Sequence, residues 1–168
     1  MAYHYAVYRS PLGEHYLLAG PRGLMALSLR ETWEQFRAAH ARRAPGEWVE
    51  TRPEDHPVLD HAIRALEAYF RTGQVPAGVP LTFSGSPFQV KVWKALRRIP
   101  EGSTASYGEI AEKIGHPGAA RAVGGACGAN PLPIFVPCHR VLASGGKLGG
   151  FGGGLDMKDA LLKLEKAR

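Results

Sequence analysis

Only two of the 168 residues are cysteine, Cys127 and Cys138, and they stand far from any C-x-x-C spacing. That scarcity excludes a disulfide framework and a cysteine-rich metal site, and it suits a reducing compartment. No apolar run approaches the roughly 20 residues that a membrane span needs. The opening Met1-Ala2-Tyr3-His4-Tyr5 also lacks the basic-then-apolar pattern of a secretory signal, so a cytoplasmic protein without a membrane partner is expected. No G-x-G-x-x-G turn follows directly behind a strand and no G-K-[ST] loop is present, which sets aside the usual dinucleotide and triphosphate sites.

Lysine is missing from the whole first half. Residues 1–84 carry nine Lys+Arg against nine Asp+Glu, whereas residues 85–168 carry twelve against six, so the entire formal charge of +6 belongs to the second half. A basic half in a chain whose other half is neutral points to a polyanion, most commonly nucleic acid. A hydrophobic content of 45% over this length suffices for one ordinary core or two small ones.

Short strand-like runs at Tyr3 to Tyr8, His15 to Ala19 and Leu24 to Leu29 are separated by Pro11-Leu12-Gly13 and Pro21-Arg22-Gly23, the signature of an antiparallel meander. Leu59, Ile63, Leu66 and Phe70 recur at helical spacing after Pro57, and Gly73 stands at a helix end, so one helix is expected to cover the sheet. Gln74 to Gly85, with Pro76, Gly78 and Pro80, reads as a linker. The reading is α+β, with domains at 1–80 and 81–168.

The second domain opens on Ser86-Pro87, a capping hydroxyl followed by proline at the first helical position. Phe88, Val92, Trp93 and Leu96 give that helix its apolar face. Ser106-Tyr107-Gly108-Glu109 fits a capping box, Gly115-His116-Pro117-Gly118 breaks the helix, and Ala119 to Ala129 forms another. Two short helices about a tight turn make a helix-turn-helix. The second has almost no long side chain but Arg121. Such a helix packs tightly on a partner helix or enters a DNA groove with one projecting group, and the local positive charge favours DNA. Ile134-Phe135-Val136 reads as a short strand. A glycine-rich stretch follows from Ser144 to Gly154, and with Leu148, Phe151 and Leu155 it reads as a pocket wall. Asp156 to Lys166 closes the chain as a helix with Glu165 as a candidate inward acid.

Pro137-Cys138-His139-Arg140-Val141 carries the chemistry. A free thiol titrates near pH 8.5, so little of it is thiolate at neutral pH unless an imidazole or a cation assists. His139 and Arg140 are both adjacent.

Taken in order and spacing, Ser106-Tyr107-Gly108, Ala120-Arg121-Ala122-Val123-Gly124, Asn130-Pro131, Ile134 to Val141, Gly149-Gly150-Phe151 and Leu161-Leu162 to Glu165 resemble the C-terminal pattern of the O6-alkylguanine-DNA alkyltransferases. The match spans about the last half of the chain, while the first half agrees in general form with that family's variable ribonuclease-H-like domain. The resemblance implies a mainly helical, winged-helix-like second domain that acts on double-stranded DNA as a monomer. It also implies a single-turnover enzyme without cofactor, cytoplasmic or, in a eukaryote, nuclear. Its substrate is O6-alkylguanine, with O4-alkylthymine left open.

By the same resemblance Cys138 is the alkyl acceptor, His139 deprotonates it through a water, Glu165 orients His139, and Asn130 braces the turn. Tyr107 donates to guanine N3 and aids base flipping. Arg121 fills the vacated stack, with Ala120, Ala122 and Gly124 on the DNA-facing helix. The carbonyls of Cys138 and Val141 accept from the guanine amino group, and Pro133 and Phe151 line the alkyl pocket. Gly152 stands where relatives often have serine, and Phe151 where they often have tyrosine. The zinc site of some relatives has no counterpart, because neither cysteine lies in the first half. His4, His15, His40, His56 and His61 are therefore read as surface or structural groups, and Cys127 as a helix-packing residue.

Two other readings compete. A non-enzymatic helix-turn-helix or lesion-flagging DNA binder would not need Cys138. A papain-like thiol hydrolase would need a distant histidine and an oxyanion hole that the local pattern does not suggest.

Overall fold

A computed structural model describes residues 2–74 and 77–167. The chain divides into two compact units, Met1–Thr72 with Pro76–Ser84, and Gly73–Val75 with Gly85–Arg168.

In the first unit, β1 (Ala2–Ser10), β2 (Gly13–Gly20) and β3 (Gly23–Leu27) form the expected meander, antiparallel throughout. Gly13 and Gly23 take positive φ at the turns, 127° and 140°, where a Cβ would be strained. Two elements were not anticipated. Helix α1 (Trp33–His40) starts on a capping box between Thr32 and Gln35, and β4 (Glu47–Glu50) adds to the free edge of β1 in parallel, giving the order β3-β2-β1-β4. The sheet is therefore mixed rather than wholly antiparallel. One core gathers Leu18, Met25, Ala26, Phe36 and Ala44 beneath Tyr3, Tyr5, Tyr16, Trp33 and Trp48. Helix α2 (Pro57–Thr72) packs along β1, β2 and β3 through Leu59, Ala62, Ile63, Leu66 and Tyr69. Gly73, at φ 76°, stops it in the left-handed conformation that the sequence suggested.

The second unit is mainly helical. Helix α3 (Pro87–Leu96) begins on the Ser86 capping box, with Gln89 as the reciprocal partner. Its Trp93 is fully buried and donates Nε1–H to the Ala126 carbonyl at 2.9 Å, which ties α3 to α5. Helix α4 (Tyr107–Lys113) carries the Ser106–Glu109 box, and α5 (Ala120–Gly128) follows across Gly115 and Gly118, both at positive φ. These helices form the helix-turn-helix, with α3 against both. A two-residue parallel pair, β5 (Ala105–Ser106) with β6 (Val141–Leu142), accompanies them. Helix α6 (Leu155–Leu164) packs on the turn that holds Cys138.

Candidate active site

Every residue from Pro131 to Arg140 is buried. The Ile134-Phe135-Val136 run, expected as a strand, is a tight turn: Val136 N–H donates to Leu132 O at 2.8 Å and Phe135 N–H to Pro133 O at 2.9 Å. Three apolar residues suit a buried turn as well as a strand. Ile134 sits at φ 73°, a costly conformation for a β-branched residue, and it persists because the Asn130 side chain clamps the turn. Asn130 accepts from Leu132 N–H and donates to the Val136 carbonyl, each at 2.9 Å. The same amide nitrogen lies 3.3 Å from Cys138 Sγ.

Cys138 opens a single 3-10 turn, Cys138–Arg140, with 7% of its surface exposed. Burial pushes its thiol pKa up, opposed by the Asn130 amide, the Lys158 ammonium and a backbone N–H. At rest it is a thiol rather than a thiolate. Arg140, read from sequence as a possible aid to thiol ionisation, turns elsewhere: its Nε donates to Glu165 Oε1 at 2.6 Å and its Nη1 to the Ile99 carbonyl at 2.7 Å.

His139 is completely buried, with Nε2 2.6 Å from Glu165 Oε2. Burial lowers its pKa, partly offset by Glu165, so the imidazole is neutral near pH 7. A carboxylate at Nε2 fixes the proton there, leaving the Nδ1 lone pair free as a base. Nδ1 is buried and has no hydrogen-bond partner among the described residues. Glu165 caps the C-terminus of α6 and, 7% exposed, serves the neutral imidazole and the charged guanidinium together.

A cavity of about 310 Å³ is lined by Tyr107, Gly124, Cys127, Gly128, Cys138, Gly150, Phe151 and Gly152. Tyr107, the first residue of α4, is half-buried, and burial raises its phenol pKa, so it stays a proton donor. Phe151 and Gly152 reach the cavity, whereas Pro133, Val141 and Leu155 do not line it. Pro133 lies in the buried turn, Val141 is fully buried in β6, and Leu155 is 49% exposed. Cys127 is not merely a packing residue, since it shares this cavity with Cys138 and burial pushes its thiol up to about 12. Along α5, Arg121 and Ala122 are exposed, Ala120 is half-buried, and Gly124 faces the Tyr107 ring.

Sequence reasoning missed Lys158. Its ammonium is fully buried and donates to the carbonyls of Val141 at 2.7 Å, Gly150 at 3.2 Å and Leu148, stitching the glycine-rich wall to β6. A signal was available, because Lys158, Leu161, Leu162 and Glu165 fall at i, i+3, i+4 and i+7 on one helix face. Two charges on an apolar stripe mark a built site. The Val141 carbonyl, expected to receive the guanine amino group, is thus already engaged on one lone pair.

Two family models divide the chain between them. Residues 3–83 match the ribonuclease-like domain of 6-O-methylguanine DNA methyltransferase, and residues 87–167 match its DNA binding domain. The chain is 45% identical over 165 residues to the methylated-DNA--protein-cysteine methyltransferase of Mycobacterium tuberculosis, covering 98% of this chain and 93% of that one. The corresponding protein of Methanosarcina acetivorans is 42% identical, with 96% and 97% covered.

The chain belongs to the 6-O-methylguanine DNA methyltransferase family. Its methyltransferase fold superposes on the crystal structure of M. tuberculosis OGT in complex with DNA at a TM-score of 0.82, with 44% identity and 98% and 93% of the two chains covered. The O6-methylguanine DNA methyltransferase of Methanococcus jannaschii gives 0.67 at 30% identity, covering 96% and 93%. Among the described residues of this methyltransferase-family chain, no three His, Cys, Asp or Glu side chains converge as a metal site, and no helix is long and apolar enough to cross a membrane.

Proposed function

We propose that Cys138 accepts an alkyl group from O6-alkylguanine in duplex DNA, once per chain. The observation that carries this reading is a buried thiol, hydrogen-bonded by Asn130, in a cavity that also holds a protonated tyrosine. Residues 81–168 supply the DNA-binding and transfer chemistry, and residues 1–80 the ribonuclease-H-like domain.

The reactive carbon lies inside the duplex, so the nucleotide must first rotate out at a cost of a few kcal/mol. Arg121, projecting from a helix of small residues, fills the stack it vacates. Ala120, Ala122 and Gly124 let that helix approach the groove, and Tyr107 crowds the adjacent phosphate. Inside the cavity, His139 takes the Cys138 proton through a bridging water, using its free Nδ1. Glu165 and Arg140 hold the ring in the tautomer that permits this. The Asn130 amide and the Lys158 charge then stabilise the forming thiolate, offsetting burial.

Sulfur attacks the alkyl carbon as the carbon–O6 bond breaks, and the electron pair leaves with guanine. Tyr107 hydrogen-bonds N3 as charge develops there, and in sum the thiol proton ends on guanine. The product is a thioether, whose thiolate is a poor leaving group, so the transfer is irreversible. Phe151 and Gly152 bound the space for the alkyl group. The carbonyls of Cys138 and Val141 present acceptors for the guanine amino group. A reducing compartment suits a reaction that depends on a free thiol, and the cytoplasm meets that need.

Incubation with excess duplex carrying radiolabelled O6-methylguanine tests the reading. One methyl per chain, with no turnover beyond it, is the expected result. Tight lesion binding without transfer would instead make the chain a lesion-flagging protein.

A further inference from the structure

The first unit contains a concavity that alkyl transfer does not use. It encloses about 360 Å³ and is lined by Arg22, Arg43, Tyr3, Met25, Thr82 and Ser84, among others. Its walls are built by close backbone approach. Leu24 N–H donates to Pro80 O and Thr82 N–H to Leu24 O, both at 2.8 Å, so the 80–84 segment lies along the start of β3. Gly23 has no room for a Cβ, which would stand 2.6 Å from the Pro80 carbonyl oxygen, and a Cβ on Gly20 would stand 2.6 Å from Met25 Sδ.

Two guanidinium groups enter this space without a counter-charge. Neither Arg22 nor Arg43 forms an ion pair among the described residues. Arg43 is partly buried, and its Nη1 is steadied 3.3 Å from His40 Nδ1. His40 is itself 7% exposed and has its pKa lowered to about 4, chiefly by burial, so it is neutral and accepts this contact. A partly desolvated cation that forms no ion pair among the described residues is a cost that a bound anion reduces.

We propose that this concavity is a binding site for the phosphate group of a small molecule, either free phosphate or a phosphate monoester. Planar guanidinium forks match phosphate oxygens bidentately. The volume exceeds what phosphate alone fills, and Tyr3 and Met25 offer a surface for an organic body. The site gives the first unit a ligand of its own, independent of the chemistry at Cys138.

Isothermal titration of the full chain in low-salt, phosphate-free buffer tests this, with adenosine 5′-monophosphate, inorganic phosphate and uncharged adenosine as probes. Saturable one-to-one binding of the monophosphate, with none of adenosine, is expected. Arg43→Gln and Arg22→Gln should each weaken it about tenfold or more, while both variants keep the wild-type melting curve and react at the wild-type rate with free O6-benzylguanine. Arg22 is exposed at a turn, so its variant carries the test should Arg43→Gln fail to fold. Monophosphate binding about tenfold tighter than inorganic phosphate identifies a monoester ligand, and equal affinities identify the free ion. Absence of saturable binding, or unchanged affinity in the arginine variants, overturns the proposal.

Discussion

The side-chain amide of Asn130 donates to Cys138 Sγ at 3.3 Å while the same nitrogen donates to the Val136 carbonyl at 2.9 Å. One group therefore both shapes the turn and lowers the thiol pKa against burial. Asn130→Ala is expected to slow single-turnover transfer by about tenfold to a hundredfold, since a shift of one pKa unit corresponds to about 1.4 kcal/mol. It should also lower stability by about 1–3 kcal/mol through unmet backbone groups, read from urea unfolding. A variant with normal kinetics would remove Asn130 from the chemistry.

Glu165→Gln leaves the buried Arg140 guanidinium without its counter-ion and frees the His139 tautomer. Loss of one partner from a buried pair costs about 3–5 kcal/mol. The variant should unfold at markedly lower urea concentration and, where still folded, transfer methyl far more slowly than wild type.

The acid side of the rate profile belongs to His139. Burial holds its pKa below the ordinary 6.5, so the transfer rate should stay level as pH falls to 6.5 and decline only beneath that value. His139→Gln, slow at every pH, should lack this acid limb in stopped-flow measurements.

Stability has an acid dependence of its own through His40. Its folded pKa of about 4 lies below the unfolded value of 6.5, so between these the unfolded chain binds a proton that the folded chain does not. Stability is therefore full above pH 6.5 and falls as pH drops toward 4, by about 2 kcal/mol from this residue. Urea titrations at pH 7 and 5 should show the loss, reduced in His40→Gln.

Arg121 projects from α5 without entering the cavity around Cys138. Arg121→Ala should slow repair of O6-methylguanine in duplex DNA by tenfold or more, and leave reaction with free O6-benzylguanine near wild type. Equal losses on both substrates would remove its flipping role.

What the sequence made legible was local. The capping hydroxyl and proline at Ser86-Pro87, the capping box at Ser106 and the glycine turn between α4 and α5 located the helix-turn-helix, because these signals act within a few residues. Strand β4 escaped, since Glu-Trp-Val-Glu has no strong alternation and pairs with β1 only through distant tertiary contact. The turn at Ile134 was misread because a short apolar run says buried without saying extended. Lys158 belongs to no motif that the sequence displays, although its place on the Leu161 and Leu162 face argued for burial. Cys127 and Cys138 come from separate segments, and only folding puts them in one cavity.

Two thiols in one cavity make the identity of the acceptor the central question. Peptide mass spectrometry after a single exposure to O6-methylguanine duplex answers it directly. The expected result is one methyl on the peptide containing Cys138, none on that containing Cys127, and full transfer retained by Cys127→Ser. Methyl on Cys127, or an unmodified Cys138 in protein that still binds the lesion, would contradict the account.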